Sequence, residues 1–405
     1  MAFPGKFHSR GSVFKVDNLG GALADISAYL DTFKVPRKLD RPQSATFGDV
    51  GERYGQVLGL KSGDLSMTGF YEPAAATKLH GRAAKIIISG NSMGPAFNKG
   101  KLTRKVKLDP TTTFGSGDVT YDVIGLMSGD ANLSGYYAGQ ANDTEALLTA
   151  LINGDPALGA ALPMCSLGIN GFAIGQMVEL FSLPITDYAI DAGETKTLDL
   201  SLTGKADGII DQGYSLHDLV QEVGAAPLSF TAVGPEAVST TLGAFAVLQV
   251  SQFAGTTATV IIQTSPDNAT WTTLVTFAAV TTAPGVQTVT VPVGTTVNTY
   301  LRAQISAATY TSMTFQVAIA RRGLTSAMVT PGTWKHLAAL FSNQYWIVPQ
   351  AAYLWEYDPQ GTAVTNPKKT GSCRLESLGI TFDETQSLKF DMGLKVTGPV
   401  TDGFN

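Results

Sequence analysis

GLKSGDLSMTGFY at residues 59–71 recurs as GLMSGDANLSGYY at residues 125–137, with seven of thirteen positions identical at a constant offset of 66. Three of the changes keep shape and polarity: Met67 to Leu133, Thr68 to Ser134 and Phe70 to Tyr136. Each copy follows a related phrase, TFGDVGERY from Thr46 and TFGSGDVTY from Thr113. A second phrase also occurs twice. ETKTLDLSLTGKADG (194–208) is echoed by ETQSLKFDMGLKVTGPVTDG (384–403), both running alternating apolar residues into Thr-Gly and then Asp-Gly. Internal repetition marks an architecture built by stacking similar units. Tubes, rings and arrays need two copies of one strand; an active site seldom does.

Around these repeats the composition fits β-structure. Gly supplies turns, while Thr and Val suit a pleated surface. The chain has 405 residues, too many for one ordinary core, so two or three domains are expected. A net charge of −5 argues against a nucleic-acid reader with a strongly basic face. The one basic cluster is Lys99, Lys101, Arg104, Lys105 and Lys107; the alternation in KLTRKVKL reads as the solvent face of a strand, with a DNA or partner contact as the other reading. Cys165 and Cys373 precede the two closing phrases and read as buried free thiols at equivalent positions, too far apart to pair. The N-terminus has no apolar leader core and no stretch reaches the 18 apolar residues of a membrane span, so synthesis in the cytoplasm and no membrane partner are expected.

Residues 228–320 carry only three charged side chains, Glu236, Asp267 and Arg302, so they stand apart from the rest. AFAVLQVSQF, ATVIIQTS, WTTLVTF, VQTVTVPV, YLRAQIS and MTFQVAIA follow one another between Gly, Pro and Asn turns, the pattern of a β-sandwich. This predicts a separate module over 228–322 that folds alone. Two helices are predicted. One covers 143–153, capped by Asn142 with Glu145 three residues on. The other covers about 333–342, with Trp334, Leu337, Ala338 and Phe341 on one stripe. The order of phrases is opening, opening, helix and close, insert, helix and close. Either the second unit has a degenerate opening, or strands of the two units are interleaved.

Motif-level chemistry is absent. The histidines His8, His80, His217 and His336 have no ligand at helical spacing, and there is no HExxH, CxxC or GxSxG. LGINGFAIG lacks the Lys-Ser/Thr of a phosphate loop. No catalytic, cofactor or metal residue is assigned, and structural work rather than catalysis is expected. Ser-Gly-Asp at 62–64 and 128–130 predicts tight reversals, and Gly69 and Gly135 predict a bulge or the close approach of another backbone.

SVFKVDNLGGALADISAYLDTF (12–33) and TFGDVGERYGQVLGLKSGDLSMTGFYEP (46–73) resemble the N-terminal part of major tail tube proteins of long-tailed, siphovirus-type bacteriophages. WEYDPQG (355–361) and KKTGSCRLESLGITFDETQSLKFDMGLKVTGPVTDG (368–403) resemble the last strands of that family. SPDNATW and YLRAQI give the insert an Ig-like or discoidin-like look. The resemblance implies an all-β fold with two short helices: two tail-tube-type sandwich or barrel domains plus one inserted sandwich. They would divide as 1–225 (first copy and part of the second), 228–322 (insert) and 324–405 (the rest of the second). It implies a virion protein whose copies pair their sheets edge to edge into stacked rings around a DNA channel, three doubled chains replacing six single ones. The partners so implied are further copies of itself, tape-measure protein and DNA in the lumen, and tail terminator and tail-tip proteins. Lumen or ring-contact positions are expected at Asp64, Asp130, Asp199 and Asp391, whose alternative role at 64 and 130 is to complete Gly-Asp turns. Two other readings are a tail-tip or virion surface protein that binds host glycans through the sandwich, and a secreted carbohydrate-active enzyme. The second lacks both a leader and a paired-carboxylate motif.

Overall fold

The computed structural model describes residues 12–35, 38–39, 43–44, 55–56, 61–70, 81–93, 96–111, 119–136, 148–149, 162–192, 198–224, 226–234, 236, 238–329, 333–346, 352–364 and 366–404. The main elements are β1 (Val13–Asp17), β2 (Leu30–Lys34), β3 (Asp64–Phe70), β4 (Lys85–Ile88), β5 (Phe97–Pro110), β6 (Tyr121–Tyr136), β7 (Met164–Gly168), β8 (Met177–Ser182), β9 (Ile185–Asp191) and β10 (Asp199–Glu222). They continue as β11 (Ala244–Ser265), β12 (Gly285–Val291), β13 (Tyr300–Arg321), α1 (Trp334–Trp346), β14 (Tyr353–Asp358), β15 (Pro367–Asp383) and β16 (Lys389–Phe404). The fold is all-β, as the alternation predicts.

The repeats are nested. The N-terminal opening strand β3 pairs with the C-terminal closing strand β16, whereas the second opening strand β6 pairs with the first closing strand β10. Registers in the two pairs match: Asp64 faces Lys395, and its repeat Asp130 faces Lys205. The correspondence extends to the next strands. Thr32–Thr68 becomes Lys99–Ser134 between β2·β3 and β5·β6, with a bulge before each. Ser377–Gly393 becomes Asp187–Thr203 between β15·β16 and β9·β10, again with a bulge at the same place. The hairpin β14–β15 returns as β7–β8, Leu354–Ser372 becoming Met164–Ser182. β1 against β14 returns as β4 against β7. One strand set is thus used twice. Its outer copy is split between the two ends of the chain, and its inner copy runs from β4 to β10.

The eight long strands join in the order β2-β3-β16-β15-β5-β6-β10-β9, all antiparallel. Alternation buries one face: Leu65, Met67, Leu102, Leu133, Leu202, Leu378, Met392 and Leu394 pack into the main core. Across that core lie Ile86, Ile88, Cys165 and Leu167 of a second sheet and Trp334, Leu337, Ala338 and Phe341 of α1. Thr333 caps α1, its hydroxyl accepting from the His336 amide at 3.3 Å. The predicted helix over 143–153 lies outside the described residues except for 148–149, which are helical. The phrases at 46–54 and 113–118 lie outside them too, apart from 119–121 that follow the second.

Two expectations are corrected. Ser128, Gly129 and Asp130 continue straight through β6 opposite Lys105, Arg104 and Thr103, so there is no reversal. Gly129 instead lets another strand pack closely: a Cβ there would meet Ile210 Cδ1 at 2.4 Å and the Thr103 carbonyl oxygen at 3.0 Å, so Ile210 would have to shift. In the first copy Asp64 likewise begins a strand, with the Gly63 carbonyl accepting from the Val396 amide. Cys165 and Cys373 are buried and free, as expected, but they are not equivalent: when the two hairpins are matched, Cys373 corresponds to Leu183 and not to Cys165. The close-approach reading of Gly69 and Gly135 holds. Added Cβ atoms would sit 2.1 Å from the Tyr29 carbonyl oxygen and 1.7 Å from that of Ala96, each beside the bulge in the neighbouring strand.

The 228–322 segment has a core cluster that includes Leu248, Val260, Ile262, Leu301 and Phe315. It is nevertheless continuous with the frame. β13 pairs with the second half of β10 from Tyr214–Ile319 to Glu222–Met313. Val247, Ala318 and Ala320 pack on Ile87, Met164, Val178 and Leu180, the far side of the second sheet. Gln249 receives the Gly90 amide at 2.6 Å and donates to the Met164 carbonyl at 3.0 Å. Of the three charges, Glu236 is buried against Lys335 of α1 (2.9 Å) and Arg321 (3.2 Å), while Arg302 lies over Trp271.

Two outcomes follow from these contacts. Gly135→Ala should lower stability by about 2–3 kcal/mol, because a packed backbone has to move, whereas Gly285→Ala, with nothing nearer than 3.9 Å, should be near neutral in urea unfolding. His336 donates through Nε2 to the Asp17 carbonyl at 2.8 Å, and burial pulls its pKa down to about 4. The unfolded imidazole titrates near 6.5, so this neutral histidine contributes stability above that pH that is lost as pH falls toward 4. The slope is about 1.4 kcal/mol per pH unit. Comparing unfolding of the wild type and His336→Gln between pH 7 and 4 measures this term, and the variant should show a shallower acid loss.

Candidate functional site

The open face of the eight-stranded sheet is the surface the repeats build. On β5 the inward residues Leu102, Arg104 and Val106 alternate with outward Lys99, Lys101, Lys105 and Lys107. The predicted basic cluster therefore divides: four lysines face outward and Arg104 goes into the core. The same alternation on β3, β6, β10 and β16 turns Asp64, Asp130, Asp199 and Asp391 to this one face. Between them stand Ser66, Thr68, Asn132, Ser134 and Ser201.

Opposite charges on this face are interlocked. Lys395 contacts Asp64 at 2.8 Å, Lys101 contacts Asp391 at 2.9 Å, and Lys105 contacts Asp130. Lys99 lies 3.5 Å from Asp383, and Lys107 lies 3.4 Å from Asp109. Burial pulls the Lys395 ammonium down, but the bond to Asp64 and the charges of Glu376 and Asp64 outweigh it and raise its pKa. The Thr385 hydroxyl, with Lys99 adding to it, holds Asp383 below the usual carboxylate range. Asp199 stands apart from these pairs, at a cleft of about 630 Å³ at one end of the sheet shared with Lys99, Tyr136, Asp191, Ser201 and Glu384. Like Asp130, Asp64 belongs to a cross-strand pair rather than to a turn. A face laced this way presents polarity without a strong field of either sign.

The inner side of the same strands holds what sequence reasoning missed. Glu179 on β8 is fully buried and binds Arg104, receives Trp334 Nε1 at 2.9 Å and Gln212 Nε2 at 3.3 Å. Arg104 also lies 5.5 Å from the Trp334 ring centroid. An isolated Glu in the apolar run MVELFS is the only signal that could have pointed to it. Asp211 and Arg322 form a second inner pair at 3.0 Å; burial raises the Asp211 pKa and Arg322 opposes it. Of the four histidines, His8 and His80 lie outside the described residues. His217 is stacked on Phe315 at 3.9 Å with its Nε2 3.1 Å from Glu222, and burial lowers its pKa. Among the described residues no three His, Cys, Asp or Glu side chains converge as metal ligands.

The two kinds of charge should respond differently to neutralisation. Glu179→Gln leaves the Arg104 guanidinium buried without its counter-charge and should cost about 3–5 kcal/mol or prevent folding. Asp130→Asn and Asp391→Asn break exposed pairs and should each cost under about 1 kcal/mol in the same denaturant titration.

No family model matches the chain, and no curated protein matches it. Several solved structures are similar to parts of it. One is the tail of an empty gene transfer agent particle refined with C6 symmetry, at 14% identity and TM-score 0.27, covering 33% of this chain and 96% of that one. Another is the SPP1 Dit protein, described as a hub adsorption apparatus protein of phages infecting Gram-positive hosts, at 10% identity and TM-score 0.23, covering 58% and 98%. A third is from the T13 viral particle of IBDV, at 12% identity and TM-score 0.20, covering 83% and 78%. These likenesses are to virion components and by themselves assign no role.

Proposed function

We propose that the chain is a structural virion protein that polymerises into stacked rings and forms the tail tube of a long-tailed bacteriophage, the conduit for DNA. The observation that carries this reading is the register-matched duplication of a four-stranded block within one sheet, packed on one face and polar on the other. A barrel built from such sheets removes every sheet edge. Two blocks per chain make three chains the equivalent of a six-fold ring. About two dozen strands spaced ~4.8 Å apart give a bore about 37 Å across before strand tilt widens it, wide enough for duplex DNA.

In this reading the lining is the face that carries Asp64, Asp130, Asp199 and Asp391 together with their lysine partners. Paired charges suit a conduit, because free lysines would bind phosphate and add salt-dependent friction to passing DNA. The proposed division follows the nesting. The tail-tube-type units are residues 81–222 and the joined ends 12–70 and 334–404, with the sandwich of 228–322 carried on the second sheet, away from the lining face. Further expected neighbours are tape-measure protein in the lumen and terminator and tip proteins at the tube ends.

Negative-stain microscopy of purified protein over a range of concentrations tests this. Rings or tubes should appear, and averaged cross-sections should show three chains with six similar inner lobes. Six chains per ring would mean that the two blocks do not both line the bore, and a protein that stays monomeric throughout would remove the tube reading.

A further inference from the structure

The duplicated sheet contains a joint between its two blocks, and that joint has no counterpart at the ends. Within the chain, β15 closes the outer block and pairs with β5, which opens the inner block, from Lys99–Asp383 to Lys105–Ser377. The strand equivalent to β15 in the inner block is β9, and the strand equivalent to β5 in the outer block is β2. β9 pairs only with β10, and β2 only with β3, so among the described residues both ends of the sheet are open edges. Open edges of this length attract another strand.

We propose that β9 of one copy pairs antiparallel with β2 of the next in the register that the internal joint already uses. Matching β5 to β2 and β15 to β9 turns the joint's pairs Lys101–Thr381, Leu102–Ile380 and Gly100–Phe382 into Lys34–Asp191, Val35–Ile190 and Phe33–Ala192. The strand directions agree, since eight alternating strands leave β9 and β2 antiparallel.

Two observations single out this partner. First, burial differs in the way an unfilled joint requires. Ile380 is 0% exposed and Leu102 1% inside the joint, whereas Ile190, the counterpart of Ile380, is 39% exposed and Val35 is half-buried. A second copy seated in this register covers both. Second, the charge changes to match. Lys101 in the joint faces Thr381 and takes its counter-charge from Asp391. In the inner block the counterpart of Asp391 is Ser201, which has no charge, but the counterpart of Thr381 is Asp191, which supplies one directly across from Lys34. The outer edges thus keep the ion pair by a different residue, as expected of a contact between chains that has to discriminate register. Because the contact uses two different edges, it is head-to-tail, and it closes into a ring or runs on as a filament. The number of copies rests on the tube reading; the contact does not.

The test is a chain carrying Lys34→Cys and Asp191→Cys, oxidised under assembly conditions and run on a non-reducing gel. Multimers joined through disulfides should appear, ending in one closed species, while the shifted pair Lys34→Cys with Ala189→Cys should yield a tenth as much or less. Assembled particles without the disulfide, or a better yield from the shifted pair, overturn the register and leave the ring reading standing. A ladder with no closed species keeps the contact and removes the ring. Failure to associate at any concentration overturns both. Charge reversal serves as the second variant: Lys34→Asp and Asp191→Lys should each reduce assembly at least tenfold by light scattering, and the double reversal should restore it. Single reversals that assemble like the wild type also overturn the register.

Discussion

The carboxylate of Glu179 is fully buried, and three separate parts of the molecule answer its charge. Arg104 comes from the first sheet, Gln212 from the long strand that passes from one sheet to the other, and Trp334 from the start of α1. Burying an ion pair brings little net stability, because desolvation offsets the attraction. Its value here is geometric. A shift of β5 by one residue would turn Arg104 outward and leave Glu179 in the core without its counter-charge. A shift by two would carry the guanidinium along the strand by twice the rise per residue, well beyond hydrogen-bond reach of the carboxylate. The pair therefore fixes how the two sheets and the helix sit on one another. It also ties the helix of the outer copy to the strands of the inner one. In the matched hairpin of the outer copy the position of Glu179 is taken by Lys369. This interaction belongs to the joined pair and not to the repeated unit.

The repeated unit is held by backbone geometry instead. Bulges in β2 and β5, and in β15 and β9, fall at matching places, and Gly69 and Gly135 lie against two of them with no room for a side chain. Bulges twist and bend the strands that carry them, so two blocks with the same bulges have the same curvature. Equal curvature is what lets blocks follow one another around a common axis. The nesting explains how both copies fold in one chain: the inner copy is contiguous, and the outer one closes over it when the C-terminal strands reach β3.

The low-charge segment 228–322 illustrates a different balance. Its near lack of charge reads as independence, but its strands extend the second sheet, and that sheet is buried on both faces because of them. Ile86 and Ile88 face the main core while Ile87 faces Val247 and Ala318. The few charges it does carry are spent locally, with Glu236 buried against α1. A boundary at residue 228 marks a change of composition and not a break in hydrogen bonding.

The sequence by itself determined that the fold is all-β, that the strands come twice, that α1 begins after residue 332 and which face of β5 is wet. These are local matters: the period-two alternation of the strands and the apolar stripe of the helix are written in neighbouring residues. Asp64, Asp130, Asp199 and Asp391 share one face because each occupies an outward position of a repeated strand, and their place at a lumen or ring contact belongs to the proposed function. The tertiary structure decided which opening belongs with which closing, since hydrogen bonds between strands at opposite ends of the chain leave no mark on spacing. It decided that Ser-Gly-Asp runs straight, because the fit of Gly129 against Ile210 comes from another strand. It alone showed that Arg104 leaves its lysine neighbours for Glu179: an alternating pattern says which residues turn inward, but only the facing sheet supplies a charge for one of them to meet.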